Sequence, residues 1–167
     1  MSALHVSVIN AFKSMGWEYH VVPDAEVVET WFEAHHTKVL VHAQTHAEAG
    51  IVSVVANNSA PVPESHRIAA CELLMRTNKE LNLGNFEIDW DGGQVMFRVS
   101  NIFSPNRFDE RIIASLVHAS VAEVDRLTPY LAEICRSPLA ALNAMDIPRL
   151  MHREDLLPDI AEPETTA

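Results

Sequence analysis

The chain has little glycine, cysteine or lysine, and each shortage excludes something. Only five glycines occur in 167 residues. None of the glycine signatures that cradle phosphates, bind dinucleotides or present a nucleophilic serine (Gly-x-x-x-x-Gly-Lys, Gly-x-Gly-x-x-Gly, Gly-x-Ser-x-Gly) is present. The two cysteines, Cys71 and Cys135, lie inside apolar helical patterns. They form neither a disulfide framework nor a zinc signature, and read as small buried hydrophobes. Three lysines contribute to 12 Lys plus Arg, against 23 Asp plus Glu, for a net charge of -11. That balance argues against nonspecific nucleic-acid or anionic-membrane partners, which need a basic surface. No segment approaches the ~18 consecutive apolar residues of a membrane span, and Met1-Ser2-Ala3-Leu4-His5 lacks the basic flank and apolar run of a signal peptide. A cytoplasmic location is the expectation.

What is present is enough for one core, since the chain is 48% hydrophobic and its length suits a single domain. Ala3 to Met15 spaces Val6, Ile9, Phe12 and Lys13 by three and four, and Gly16 follows as a stop, which predicts a short amphipathic helix. Runs rich in β-branched and aromatic residues come next: Val27 to Ala34, Thr37 to His46 and Ile51 to Asn57. His35-His36 and Glu48-Ala49-Gly50 separate them, the pattern of an antiparallel three-stranded meander. A loop through Pro61 and Pro63 leads to a second helix, ending near Leu81, with Ile68, Cys71, Leu74, Met75 and Leu81 at helical spacing.

In Asn85 to Ser100, Phe86, Ile88 and Trp90 alternate with acids, and Val95, Phe97 and Val99 alternate with Met96 and Arg98. This predicts a hairpin. Parity allows a two-residue Gly92-Gly93 turn, opposing Phe86 to Val99 and Glu87 to Arg98, or a four-residue loop; the shorter is favoured. The longest helix starts near Asp109 with a stripe of Ile113, Val117, Val124, Leu127, Leu131 and Ile134, and Pro129 predicts a kink or break near Thr128. Residues 139–151 can form one more short helix, and 152–167 read as a disordered acidic tail. The fold class is therefore α+β: a five-stranded antiparallel sheet with helices on one side, in the order α-βββ-α-ββ-α, over residues 1–136.

Candidate chemistry is thin. Of the nine histidines, His42 and His46 share a strand face but stand roughly 13 Å apart, too far for one metal shell. His66 and His118 sit alone on helices, and a composite site such as His20 with His42 stays open. Glu87 and Asp89 share a strand face as solvated acids, and the apolar surroundings of Cys71 raise rather than lower a thiol pKa. No catalytic, cofactor-binding or metal-binding residue is assigned, and the expectation is a protein that is not an enzyme. Trp31 and Phe32 are the candidate partner-binding residues: neighbours in a strand face opposite ways and both are large, so either the sheet is covered on both sides or one aromatic is left on an open sheet face or edge that accepts a partner segment.

Several stretches resemble the YbjN-like family, nearest to its cyanobacterial members. They are Gly16-Trp17 with Tyr19, Ala60-Pro61-Val62-Pro63-Glu64 with Arg67, Leu74, Arg76, Asn78 and Leu81, and Leu83-Gly84-Asn85-Phe86-Glu87-Ile88-Asp89. Asp91, Gly93, Val95, Phe97, Arg98 and Ser100 continue them, and Leu116-Val117, Ala119, Val121, Asp125-Arg126, Pro129 and Leu131 look like the closing motif. The resemblance covers about residues 12–135. It implies the fold of class I type III secretion chaperones and a noncatalytic, chaperone-like adaptor or regulator that binds a segment of another protein, commonly as a homodimer. The competing expectation is a small-molecule- or metal-responsive regulator using the His-rich strands. One Arg against five acids in residues 151–167 leaves -7 of the charge on the first 150 residues, so a basic partner segment is the expected complement.

Overall fold

A computed structural model describes residues 1–105 and 107–157. Helix α1 (Ala3–Ser14) leads into strands β1 (His20–Val21), β2 (Val27–Glu33), β3 (Lys38–His46) and β4 (Ile51–Asn57). Then come α2 (Arg67–Glu80), β5 (Asn85–Ile88), β6 (Val95–Ile102), α3 (Glu110–Arg136), α4 (Leu139–Leu142) and α5 (Ile147–Met151). The protein is α+β, and its antiparallel sheet has the order β1-β2-β3-β4-β6-β5. It has six strands rather than the expected five. The additional strand, β1, is two residues long, too short to show as an alternation, and it exists because His20 and Val21 pair with Glu29 and Val28.

Alternation sorts each strand. In register across the sheet run the rows Val28–Ala43–Val54–Val99 and Thr30–Val41–Ala56–Phe97–Phe86, and every one of these residues is buried. Helices α1 and α3 pack on this face, and α2 packs on β5 and α3. Each fully buried Val, Leu or Phe here contributes about 1.5–3 kcal/mol, and the face supplies most of the core.

Three local differences from the sequence reading have physical causes. In α1 the buried stripe is Leu4, His5, Val8, Ala11 and Phe12, while Val6 is exposed. In α2 it is Ala70, Leu73, Leu74 and Thr77, which leaves Ile68 and Met75 outside. A helix with apolar residues on several faces is rotated by its neighbours, not by spacing alone. The β5–β6 hairpin has the four-residue loop: Phe86 opposes Phe97 and Ile88 opposes Val95, and Asp89 pairs with Gln94. The Asp89 carboxylate accepts the N–H groups of Asp91 and Gly92 inside that loop, and Gly93 has φ +76. Trp90 therefore sits in the turn, 54% exposed, instead of ending an apolar row.

Helix α3 runs through Pro129 without a break. Beside the proline, the Thr128 hydroxyl donates to the Val124 carbonyl at 2.7 Å and accepts from the Asn58 amide at 3.0 Å, tying the helix to the loop after β4. The region 139–151 forms two short helices instead of one, and α5 buries Ile147 and Leu150 against α2. Within the stretch expected to be a disordered tail, residues 152–157 make contacts with the domain: Arg153 bonds Glu133 of α3 and Asp155, and Leu156 packs on the core. Residues 158–167 of that stretch lie outside the described residues.

Candidate functional site

The second sheet face is made by the other parity. Its rows are Trp31–Leu40–Asn57–Met96–Glu87 and Glu29–His42–Val55–Arg98–Asn85. Leu40, Val55 and Met96 are half-buried, while Trp31 is 59% and Ile102 74% exposed. Two polar pairs flank this apolar centre. His42 Nε2 lies 2.9 Å from Glu29 Oε2, with its Nδ1 toward the Asn57 amide. Arg98 donates to both carboxylate oxygens of Glu87 at 2.9 and 3.2 Å, holding that carboxyl below the usual range, with Asn85 adding to the effect.

Trp31 and Phe32 thus part company. Trp31 stands on the open face. Phe32 points to the helix side, where the Trp17 ring meets it edge-on at 5.2 Å and His118 meets Trp17 at 5.0 Å. Beside them, between β2 and α3, lies a cleft of about 330 Å³ lined by Trp17, Phe32, Ala34, His118, Val121 and Asp125. Its rim is held by the β2–β3 turn: the Ala34 N–H donates to the Thr37 carbonyl. The His36 N–H donates to Asp125 Oδ1 at 2.6 Å, and His36 Nδ1 lies 3.2 Å from Oδ2.

The two edges of the sheet differ in kind. At β5, Asn78 of α2 bonds both backbone groups of one residue: its amide donates to the Phe86 carbonyl at 3.0 Å and its oxygen accepts the Phe86 N–H at 2.7 Å. At the other edge β1 pairs only with Val28 and Glu29. The hydrogen bonds Ala34 N–H to Thr37 and Thr45 N–H to Glu26 show that even-numbered residues of β2 bond to β3. Odd-numbered ones therefore bond outward, as Val27 does to Val22. In the β1 register the position opposite Trp31 is Glu18, but the Glu18 carbonyl accepts the Thr30 hydroxyl at 2.5 Å instead. Among the described residues, the outward backbone groups of Trp31 and Glu33 have no hydrogen-bond partner.

The histidines do not converge. His20 and His42 flank Glu29 on adjacent strands, yet among the described residues no group of three His, Cys, Asp or Glu side chains is placed to hold a metal ion. His5 is buried against Thr45, and burial pushes its pKa down, opposed by Glu26. The Ser65 hydroxyl is 2.8 Å from His66 Nδ1, but the other ring nitrogen is held by the Ser137 carbonyl and no carboxylate orients the ring among the described residues. Both cysteines are half-buried, and burial raises the Cys135 thiol pKa. No described helix is long and apolar enough to cross a membrane.

Sequence reasoning isolated Trp31 and missed its neighbours Leu40, Val55 and Met96. Alternation within Lys38–His46 does place Leu40 and His42 opposite Val39 and Val41; the missing information was the register that sets them beside Trp31. Nothing in the sequence joined the cleft residues: Trp17, just after α1, precedes His118 and Asp125 of α3 by 101 and 108 positions, and only tertiary packing brings them together. No family model matches this chain, and no curated protein matches it at a significant level.

Proposed function

We propose that this protein is a noncatalytic protein-binding module, a chaperone-like adaptor or regulator that receives a segment of another protein at the open sheet face around Trp31. The observation that carries this reading is the face itself: a tryptophan 59% exposed beside half-buried Leu40, with Met96 in the same row and Val55 in the next. Exposed apolar surface of this kind, rimmed by polar pairs, marks interaction sites. The order of elements supports the YbjN-like resemblance and its chaperone-like fold, with the two-residue β1 as an addition. A cytoplasmic homodimer belongs to the same reading.

The test is capture of partners by the tagged protein, comparing Trp31→Ala with Trp90→Ala. Trp90 is a matched control, because it is similarly exposed but lies in the β5–β6 turn. Loss of a reproducible partner with the first and retention with the second is expected. Equal capture by both variants contradicts the reading.

A further inference from the structure

The free edge of β2 lies between two apolar surfaces, and this fixes what an added strand would meet. Trp31 is on the open face, and Phe32 borders the cleft under α3. A strand alternates its side chains between faces. One set would lie over Trp31, and the next would enter the cleft of Trp17, Phe32, Ala34 and Val121. Among the described residues of the β2 edge, Trp31 and Glu33 offer free outward backbone groups, so the main-chain pairing is short and the two side-chain anchors must supply much of the affinity. The surroundings are acidic. Residues 17–38 contain Glu18, Asp24, Glu26, Glu29 and Glu33 against Lys38 alone. Glu18 is exposed and has no ion-pair partner among the described residues, while Asp125 lines the cleft.

We propose that the β2 edge is a strand-addition site for an extended, basic segment of another protein, which pairs with Trp31 and Glu33 and places alternate apolar side chains on Trp31 and in the cleft beside Phe32. This rests on the protein-binding reading and names its mode and partner chemistry. Acidic flanks attract the segment and exclude acidic competitors. The exposed Lys38–Glu33 pair at the end of the edge resists pairing with a second copy of this chain, since a paired strand would set Glu33 against the same acidic flank.

The experiment uses the full chain and a random nine-residue peptide library, followed by amide exchange of the isotopically labelled protein with an enriched peptide. The expected result is enrichment of Arg and Lys alternating with apolar residues, and at least about tenfold slower exchange of the Trp31 and Glu33 amides on binding. Glu33→Pro removes an outward N–H and leaves the bonds to β3, so it should weaken the peptide about tenfold or more. Should that variant be distorted, the doubly reversed Glu18→Lys, Glu33→Lys chain serves instead and should select acidic peptides. Enrichment of acidic peptides by the native chain, or bound peptide that slows neither amide, overturns the proposal. If peptide bound to the native chain leaves both amides exchanging freely and Trp31→Ala abolishes that binding, the sheet face binds and the edge proposal alone falls. If the library yields no enriched peptide, the edge proposal falls, and partner capture by the Trp31→Ala and Trp90→Ala variants decides separately whether the binding reading stands.

Discussion

The two edges of this sheet solve the same problem in opposite ways. An edge strand presents unpaired N–H and C=O groups that invite another chain. At β5 a side chain from α2 satisfies both groups of Phe86, and Gly84 lets the chain pass close beneath the Phe97 ring and the Arg98 carbonyl. At β2 the covering strand stops after two residues and leaves Trp31 and Glu33 bare. The β5 edge is closed at Phe86 and leaves Ile88 beside the loop without an outward partner among the described residues, whereas the β2 edge keeps main-chain bonding capacity next to an exposed tryptophan. Substitutions at the first should therefore cost folding energy, and substitutions at the second should cost little folding energy but affect binding.

The largest effect is expected at Gly84. With φ +74 and a Cβ position only 2.8 Å from the Arg98 carbonyl, Gly84→Ala should destabilise the protein by about 3 kcal/mol in denaturant titration; a loss under about 1 kcal/mol would show that the sealed edge is loosely packed. Next is Asn78→Ala, which strands two backbone groups of Phe86. A loss of about 2 kcal/mol is expected, and a neutral result would mean that water replaces the amide and that the seal is cosmetic.

Acid separates the regions by pH. His5, buried against Thr45 at the inner face of β3, has its pKa lowered from the ordinary 6.5, so the unfolded chain takes up a proton before the folded one. Its contribution is complete above about pH 6.5 and is lost as pH falls below that value. Glu26, bonded to the Ser2 hydroxyl, and Glu87, bonded to Arg98, have pKa values lowered from 4.5; their contributions hold above about pH 4.5 and fade below it. Melting temperature should therefore fall between pH 7 and 5 in the native chain and stay flatter in His5→Leu. Parallel curves would remove His5 from the account. The smallest effect is expected at the bare edge: Thr30→Val, which frees only the exposed Glu18 carbonyl, should cost about 0.5–1 kcal/mol. If it matched Asn78→Ala, the contrast between the edges would fail.

Legibility followed the range of the interactions. Runs of β-branched and aromatic residues marked β2, β3 and β4, alternation marked β5 and β6, and parity confined the β5–β6 loop to two or four residues. The choice between them was decided by the Asp89 carboxylate and Gly93, whose contacts lie in the loop and against Val62, beyond what alternation reports. Helix faces in α1 and α2 were misplaced because apolar residues such as Val6, Ile68 and Met75 fit a spacing but not a neighbour. The opposite facing of Trp31 and Phe32 could be read from two adjacent letters. Which one is uncovered depends on α3 and Trp17, and that the β2 edge is bare depends on Thr30 drawing the Glu18 carbonyl away from Trp31. Those are tertiary facts without a local signature.

Native-state amide exchange of the free protein, read at Trp31, Glu33 and Phe86, tests the central claim most directly. The account predicts that Trp31 and Glu33 exchange within about tenfold of an unstructured chain while Phe86 is protected by orders of magnitude. Equal protection at the two edges would contradict it.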